Sequence, residues 1–311
     1  MKDSVLVTGG NGYIGTQTVM QLKAAGYEPV VVDWVADTIK NSYTCSFDDN
    51  VVLDIMKRHN IKSVIHFAAD HEVGRSVEEP SVFYNNNVVS SIRFLDKCIQ
   101  AGVEKFIFSS SSSVYGDDPK FPTTENNRKN PMSPYGRTKD MFEEVLKDYD
   151  RAYGIKTLAL RYFNAAGADP LNRHGYCQDV YSHLVPILAR CFGQDLPFTI
   201  FGRDYDTPDG TCIRDYTHVY DIADAHIKSL EYEGPERVFN IGTGKGESVI
   251  DVINAFEDYT GKKIQINLTG RRMGDPSQTF ANIDLAINYL NWNPIYSIED
   301  IVEHAYKWEN R

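Results

Sequence analysis

Short apolar runs alternate along this chain with longer stretches whose apolar residues recur every three or four positions. The runs "SVLVT" (4–8), "PVVVD" (29–33), "SVIHF" (63–67), "KFIFS" (105–109) and "TLALRYF" (157–163) are too short for helices and rich in β-branched residues. Each predicts a strand, and an apolar run without polar alternation means that both of its faces are covered. Between them, residues 13–25, 49–59, 81–101 and 136–153 carry the amphipathic period of helices. Strand and helix in alternation predict a doubly wound parallel sheet with helices on both faces, an α/β fold.

After residue 164 the rhythm weakens. Gly, Pro and Asp accumulate at 165–178 and 202–210, and helical periodicity returns at 219–231, 247–259 and 297–309. No flexible linker separates the halves. The expected organisation is a sheet domain over residues 1–164, a smaller C-terminal lobe over 165–311, and a segment near 212–243 that packs back onto the first domain.

Composition narrows the classes of function. A hydrophobic content of 42% with 12% aromatic residues is that of an ordinary globular chain, not a disordered one. The net charge of −11 offers nothing for a nucleic-acid backbone to bind, so no nucleic-acid partner is expected. The first apolar run has four residues before its glycines, too few for a signal peptide, and none approaches the ~20 residues of a membrane span. Cys45, Cys98, Cys177, Cys191 and Cys212 are odd in number and contain no C-x-x-C pair. No metal site and no disulfide framework is expected, and a reducing, cytoplasmic compartment follows.

Candidate chemistry begins directly after the first strand. "TGGNGYIG" sets Gly10-x-Gly12-x-x-Gly15 between a strand and a helix, and Asp33 ends the next strand. The glycines permit a tight turn and close approach of a pyrophosphate, and the helix N-terminus favours the anion. A carboxylate at Asp33 suits ribose hydroxyls and repels a 2′-phosphate, and Trp34 rather than an arginine follows it. The expectation is a Rossmann-type domain that binds NAD rather than NADP.

The fourth of the longer runs leads into five serines, Ser109 to Ser113, and "SPYGRTK" follows at 133–139. Tyr135 and Lys139 are four apart at the start of a helix, hence on one face. The ammonium of Lys139 would lower the pKa of the phenol and make Tyr135 a usable base for a sugar hydroxyl. Ligands of doubly wound sheets bind beyond the carboxyl ends of the strands, where the serines lie.

With "RYFNAAGA" (161–168), "DGTCIRDYTHVYDIADAH" (209–226), "FNIGTGKGESV" (239–249) and "RRMGDPSQ" (271–278), these motifs make the whole chain resemble the extended short-chain dehydrogenase/reductase family, and within it the UDP-glucose (UDP-galactose) 4-epimerases. The resemblance implies Ser111, Tyr135 and Lys139 as the catalytic set. It implies a reaction in which Tyr135 takes the proton of the sugar 4-hydroxyl as hydride leaves C4 for NAD. The 4-keto sugar then turns about its pyrophosphate, and hydride returns to the opposite face. It also implies a cofactor lying against Gly9, Gly12, Tyr13, Ile14, Gly15 and Asp33, then Phe67, Ala68, Ala69 and His71, and finally Asn87, Ser109, Tyr135, Lys139 and Tyr162.

For the UDP-sugar, the same resemblance implies Arg214 and Arg272 on the diphosphate, Asp275 on a ribose hydroxyl, and Phe201 with Thr199 beside uracil. Asn164, His183, Leu184, Tyr216, Ser111 and Tyr135 complete the implied pocket. Four residues after Asp275 the relatives vary between tyrosine and small residues; Thr279 stands here, which leaves space for a 2-acetamido group. UDP-GlcNAc and UDP-GalNAc are therefore expected as substrates beside the plain sugars. The related 4,6-dehydratases need an Asp-Glu pair directly after the catalytic hydroxyl, and Ser112 and Ser113 occupy those places. The alternatives are another NAD-dependent nucleotide-sugar modifying enzyme of the same family, with 4,6-dehydratase and decarboxylase disfavoured, or a non-catalytic sensor of NAD or nucleotide sugar, although sensors typically lose the tyrosine or the lysine. Three departures touch the cofactor side: Trp34 and Val35 replace asparagines, "CSFDD" leaves Cys45 or Ser46 where an aspartate faces adenine, and His71 replaces a lysine. They predict NAD that exchanges. The helices at 81–101 and 136–153 are expected to pair across a two-fold axis into a homodimer.

Overall fold

The computed structural model describes residues 2–36, 41–117, 120–177, 181–272 and 276–311. Its centre is a seven-stranded sheet built from β1 (Ser4–Thr8), β2 (Glu28–Asp33), β3 (Ser42–Thr44), β4 (Ser63–His66), β5 (Lys105–Ser111), β6 (Lys156–Tyr162) and the edge strand Val238–Ile241. All neighbours are parallel. From β1 the chain builds outward through β2 to β3 on one side; from β4 it builds the other way through β5 and β6 to the edge strand. The order reverses between β1 and β4. That is where two connecting loops part and leave a crevice at the carboxyl ends of the strands.

Both faces are covered, as the unbroken apolar runs require. On one face α1 (Tyr13–Ala24) packs beneath residues such as Val7, Ile107, Leu160 and Phe239. On the other, α2 (Val51–Arg58) covers Leu6, Val32, Val64 and Phe106. A short helical turn at Val73–Glu78 (α3) comes first, and residues 81–101, one helix by pattern, then divide into α4 (Pro80–Tyr84), a π-helical segment at 85–90, and α5 (Ser91–Ala101). The π segment coincides with three asparagines of low helix propensity. The Asn86 amide donates to Asp70 Oδ2 at 2.9 Å, and the Asn87 amide donates to the Asp70 carbonyl at 2.9 Å, so the helix widens to turn these side chains inward.

The helix that carries Tyr135 and Lys139 is α6 (Pro134–Tyr153). Ser133 caps it by accepting from Gly136 N at 3.1 Å, and Pro134 fits the first turn, where its missing N–H costs nothing. Beyond β6 lie α7 (Leu184–Gln194), α8 (Val219–Glu231), α9 (Val249–Thr260), α10 (Asp284–Leu290) and α11 (Ile298–Glu309). Helix α8 returns to pack on α1, whereas α7, α9 and α11 share a separate core around Phe192, Phe256 and Ile301. Periodicity did not announce α7. Pro186 interrupts its pattern, yet sits in the first turn where a helix tolerates it. Among the described residues, no helix is long and apolar enough to cross a membrane.

Candidate active site at the strand ends

The glycine turn joins β1 to α1. Gly9 sits at φ +69°, and a Cβ there would lie 2.8 Å from Ala68 N, in the loop after β4. A Cβ on Gly15 would lie 2.1 Å from the Gly9 carbonyl oxygen, so only glycine lets α1 begin this close to the strand. Gly12 occupies the N-cap, and no side chain caps the helix. The N–H groups of that first turn therefore point at the crevice without a side-chain acceptor, the arrangement a pyrophosphate needs. Asp33 ends β2 beside them. Its carboxylate accepts from Asn11 N and from Val35 N, both at 3.0 Å, which fixes it over the turn. Tyr13 is tied across the crevice, its hydroxyl donating to the Gly167 carbonyl at 2.6 Å, and Ile14 packs into the core below. These groups fit a dinucleotide with free ribose hydroxyls.

Beside β1, the end of β4 is held from within. Thr8 Oγ1 and His66 Nδ1 are 2.7 Å apart, and His66 Nε2 lies 3.1 Å from Ser91 Oγ. Burial, with the Lys139 charge, pushes the His66 imidazole down to about 3, so it stays neutral. Phe67, Ala68, Ala69 and His71 follow on the loop toward α3, with the Phe67 ring 4.6 Å from that of His226. Asn87 from the π segment clamps this loop: its amide donates to Thr138 Oγ1 of α6 at 3.1 Å, and its oxygen accepts from Asp70 N at 2.9 Å.

The serine run is the end of β5 followed by a single 3-10 turn, Ser112–Val114. Lys139 is 3% exposed and donates to the Ser109 carbonyl at 2.7 Å. Burial pushes its ammonium down to about 7, and the charge of Glu143 works against that shift. Burial raises the Tyr135 phenol above its ordinary value, and a hydrogen bond with Ser111 pulls it back part of the way. Ser111 Oγ also donates to Ser113 Oγ at 3.1 Å and caps the 3-10 turn through Ser113 N. Ser111, Tyr135 and Lys139 thus meet where β5 and α6 converge. On β6, the Tyr162 hydroxyl lies 2.7 Å from His226 Nε2. The other ring nitrogen of His226 faces the Ile222 carbonyl at 2.9 Å and must donate to it, so Nε2 accepts from Tyr162. Pattern reading passed over His66 and His226; their signal was a polar ring inside "SVIHF" and inside an apolar helix face.

The remaining candidates line the C-terminal lobe. The Asn164 amide donates to the Asp215 carbonyl at 3.1 Å, and Tyr216 pairs with Asn164 in a short parallel ladder. Asp215 itself accepts from Thr243 N, Gly244 N and Ala281 N, joining three segments around Arg214. Arg214 donates to the Pro276 carbonyl at 2.7 Å and is paired in register with Thr279. His183 precedes Leu184, the first residue of α7. Thr199 and Phe201 belong to the strand Phe198–Phe201, and the Arg272 guanidinium stands 4.0 Å from the Phe201 ring centroid. Asp275 lies outside the described residues.

Comparison with known proteins gives a consistent result. The model of the NAD dependent epimerase/dehydratase family matches residues 5–242. A UDP-glucose 4-epimerase of Rhizobium meliloti (strain 1021) is 41% identical over 320 residues, covering 99% of this chain and 98% of its own. The solved structure of UDP-glucose 4-epimerase from Brucella ovis in complex with NAD matches 99% of each chain with a TM-score of 0.95 at 37% identity. That of the UDP-Glc/GlcNAc 4-epimerase from Campylobacter jejuni matches 99% of each chain with a TM-score of 0.86 at 36% identity.

Proposed function

The chain belongs to the NAD-dependent epimerase/dehydratase family, and we propose that within it the protein is a UDP-hexose 4-epimerase that interconverts UDP-glucose and UDP-galactose. The observation that carries this reading is the meeting of Ser111, Tyr135 and Lys139 at the strand ends, with Ser112 and Ser113 where elimination of water would need an acid and a base. Bound NAD supplies the hydride acceptor and donor for oxidation and reduction at C4. Gly9, Gly12, Gly15 and Asp33 hold it, through the turn and the uncapped helix start.

Tyr135 takes the proton of the 4-hydroxyl and later returns one to the same oxygen, so one residue serves both halves of the cycle. Ser111 bridges the phenol and the sugar oxygen. Lys139, anchored on the Ser109 carbonyl and 5.7 Å from the Tyr135 ring centroid, would favour phenolate while it carries its charge. In this structure burial holds the phenol above its ordinary value rather than below it, as the sequence led one to expect. Arg214 and Arg272 hold the diphosphate while the sugar turns, and Phe201 borders the base. Thr279, on the strand beside Arg214, leaves room for a 2-acetamido group, so UDP-GlcNAc and UDP-GalNAc are substrates as well. The enzyme acts as a homodimer in the cytoplasm, a location that its five free thiols favour.

The test is product analysis over a panel of UDP-sugars with the wild-type protein and Tyr135→Phe. UDP-galactose should yield UDP-glucose, the acetamido pair should interconvert, and Tyr135→Phe should lose at least about 100-fold in kcat with its melting temperature kept. A 4-keto-6-deoxy product, or full activity in Tyr135→Phe, would sink the reading.

A further inference from the structure

Directly behind the site, a row of polar side chains crosses the face of the sheet opposite Ser109 and Ser111. Ser110 of β5 is in register with Arg161 of β6, and Arg161 with Asn240 of the edge strand. They are 1%, 2% and 0% exposed. Glu143 of α6 lies over the row and is equally buried. Arg161 donates to it with both arms of its fork, Nε to Oε1 at 2.9 Å and Nη2 to Oε2 at 2.6 Å. Ser110 Oγ adds a third bond to Oε1 at 2.6 Å. On its far side, Arg161 Nη1 donates to the Tyr115 hydroxyl at 2.8 Å, which donates to Asn240 Oδ1 at 2.6 Å.

Each member is a chain neighbour of a site residue. Ser110 stands between Ser109 and Ser111, Arg161 precedes Tyr162, and Glu143 is one helical turn beyond Lys139 and two beyond Tyr135. A buried ion pair is weak evidence for stability, since well-packed apolar residues of the same volume serve as well or better. What a bidentate pair supplies is a fixed distance and angle between two elements. We propose that the Glu143–Arg161 pair is a positioning unit of the reaction. With the Ser110 bond, it locks the Tyr135–Lys139 face of α6 against the ends of β5 and β6 and holds a carboxylate facing the Lys139 ammonium. This rests on the epimerase reading above.

The charges around Lys139 leave that role to Glu143. From β4 comes His66, neutral, and from α8, behind the Tyr162 hydroxyl of β6, comes His226, which burial pushes down to about 4. Tyr135 shares its helix, and β5 contributes Phe108 and the Ser109 carbonyl, its Lys105 lying at the far end of the strand on the Leu230 and Tyr232 carbonyls. Arg161 lies beyond the carboxylate, and Lys129 Nζ stands 3.7 Å from Glu143 Oε2 on the outer side. The Glu143 charge is the one that supports the Lys139 cation against burial. Its removal should let Lys139 lose its proton at lower pH.

The experiment is the pH profile of kcat and KM for UDP-galactose with the NAD-loaded wild-type enzyme, Glu143→Gln and Glu143→Asp. Glu143→Gln should lose about 10- to 100-fold in kcat with KM changed less than about threefold, and its alkaline limb should move to lower pH by about one unit. Glu143→Asp should return the limb to its wild-type position. A wild-type limb in Glu143→Gln, or a limb in Glu143→Asp that stays with Glu143→Gln, would overturn the inference. Should Glu143→Gln not fold, Ser110→Ala removes one bond to the carboxylate and no charge. It should lower kcat about fivefold or more with the limb unmoved, and wild-type kcat would overturn the inference. A wild-type enzyme silent on every UDP-sugar overturns the epimerase reading and this inference together; an active one with an unaltered Glu143→Gln profile overturns the inference alone.

Discussion

Lys139 carries its ammonium into a site where it is almost wholly enclosed, and the molecule bears a measurable cost for that. Burial lowers it from 10.5 in the unfolded chain to about 7 in the fold. Between those values the unfolded chain binds the proton and the folded one does not, so this residue makes stability rise with pH by about 1.4 kcal/mol per unit. Below about 7 both states are protonated and the cost is constant. Replacing it with an apolar chain of similar length removes the cost. Lys139→Met should therefore be more stable than wild type by a margin that grows from pH 10 down to pH 7 and then levels, while activity is lost. Denaturant titrations across that range check the sign; a margin that shrinks toward acid would refute it. Tyr135 and Lys139 were legible in the sequence because a helix enforces their spacing. The Glu143–Arg161 pair was not, since its partners lie 18 positions apart on different elements. The available signal was Arg161, a cation inside the apolar run "TLALRYF" that had to find a buried counter-charge.

At the scale of elements, local propensity and tertiary need pull in opposite directions at the start of α1. Gly15 lies inside the helix, where alanine would be better by about 1 kcal/mol on propensity alone. The 2.1 Å approach of its would-be Cβ to the Gly9 oxygen reverses that preference. Gly15→Ala should lower the melting temperature and weaken NAD binding by about 100-fold or more, because the turn must open and its N–H groups leave the pyrophosphate. Cofactor retention through gel filtration and a thermal melt measure both; a stabilised variant that keeps NAD would mean that the turn can relax. The same opposition explains which elements the sequence disclosed. Long periodic runs such as α6 and α8 were legible, because their apolar faces match the sheet they cover. Helix α7 was hidden by Pro186, and the π segment by a period that 3.6 residues per turn does not describe. In both, side chains answer to one local demand, a helix start or the tie to Asp70.

For the whole molecule, the reversal of strand order between β1 and β4 gathers residues from distant parts of the chain at one crevice, and that much followed from the strand–helix alternation. What covers the outer face of α6 is a separate matter. Helices α4 and α6 lie side by side there, and Val82, Val89 and Met141 are 38%, 40% and 49% exposed. Apolar side chains on neighbouring helices are what a two-fold pairing into a four-helix bundle would bury. The wild-type protein should sediment at twice its 35.2 kDa chain mass, and Val89→Glu with Met141→Glu should run at the single mass. Met141 is two residues from Lys139 on α6, with Lys139 buried and Met141 outside. The partner helix would then back the element that positions Tyr135. Activity of the wild-type protein should fall with dilution and recover as concentration is raised, in step with its mass, and the double variant should stay at the diluted level. A wild-type enzyme that is monomeric at every concentration and fully active would show that α6 holds its place against the sheet alone, through Glu143, Lys139 and Phe142.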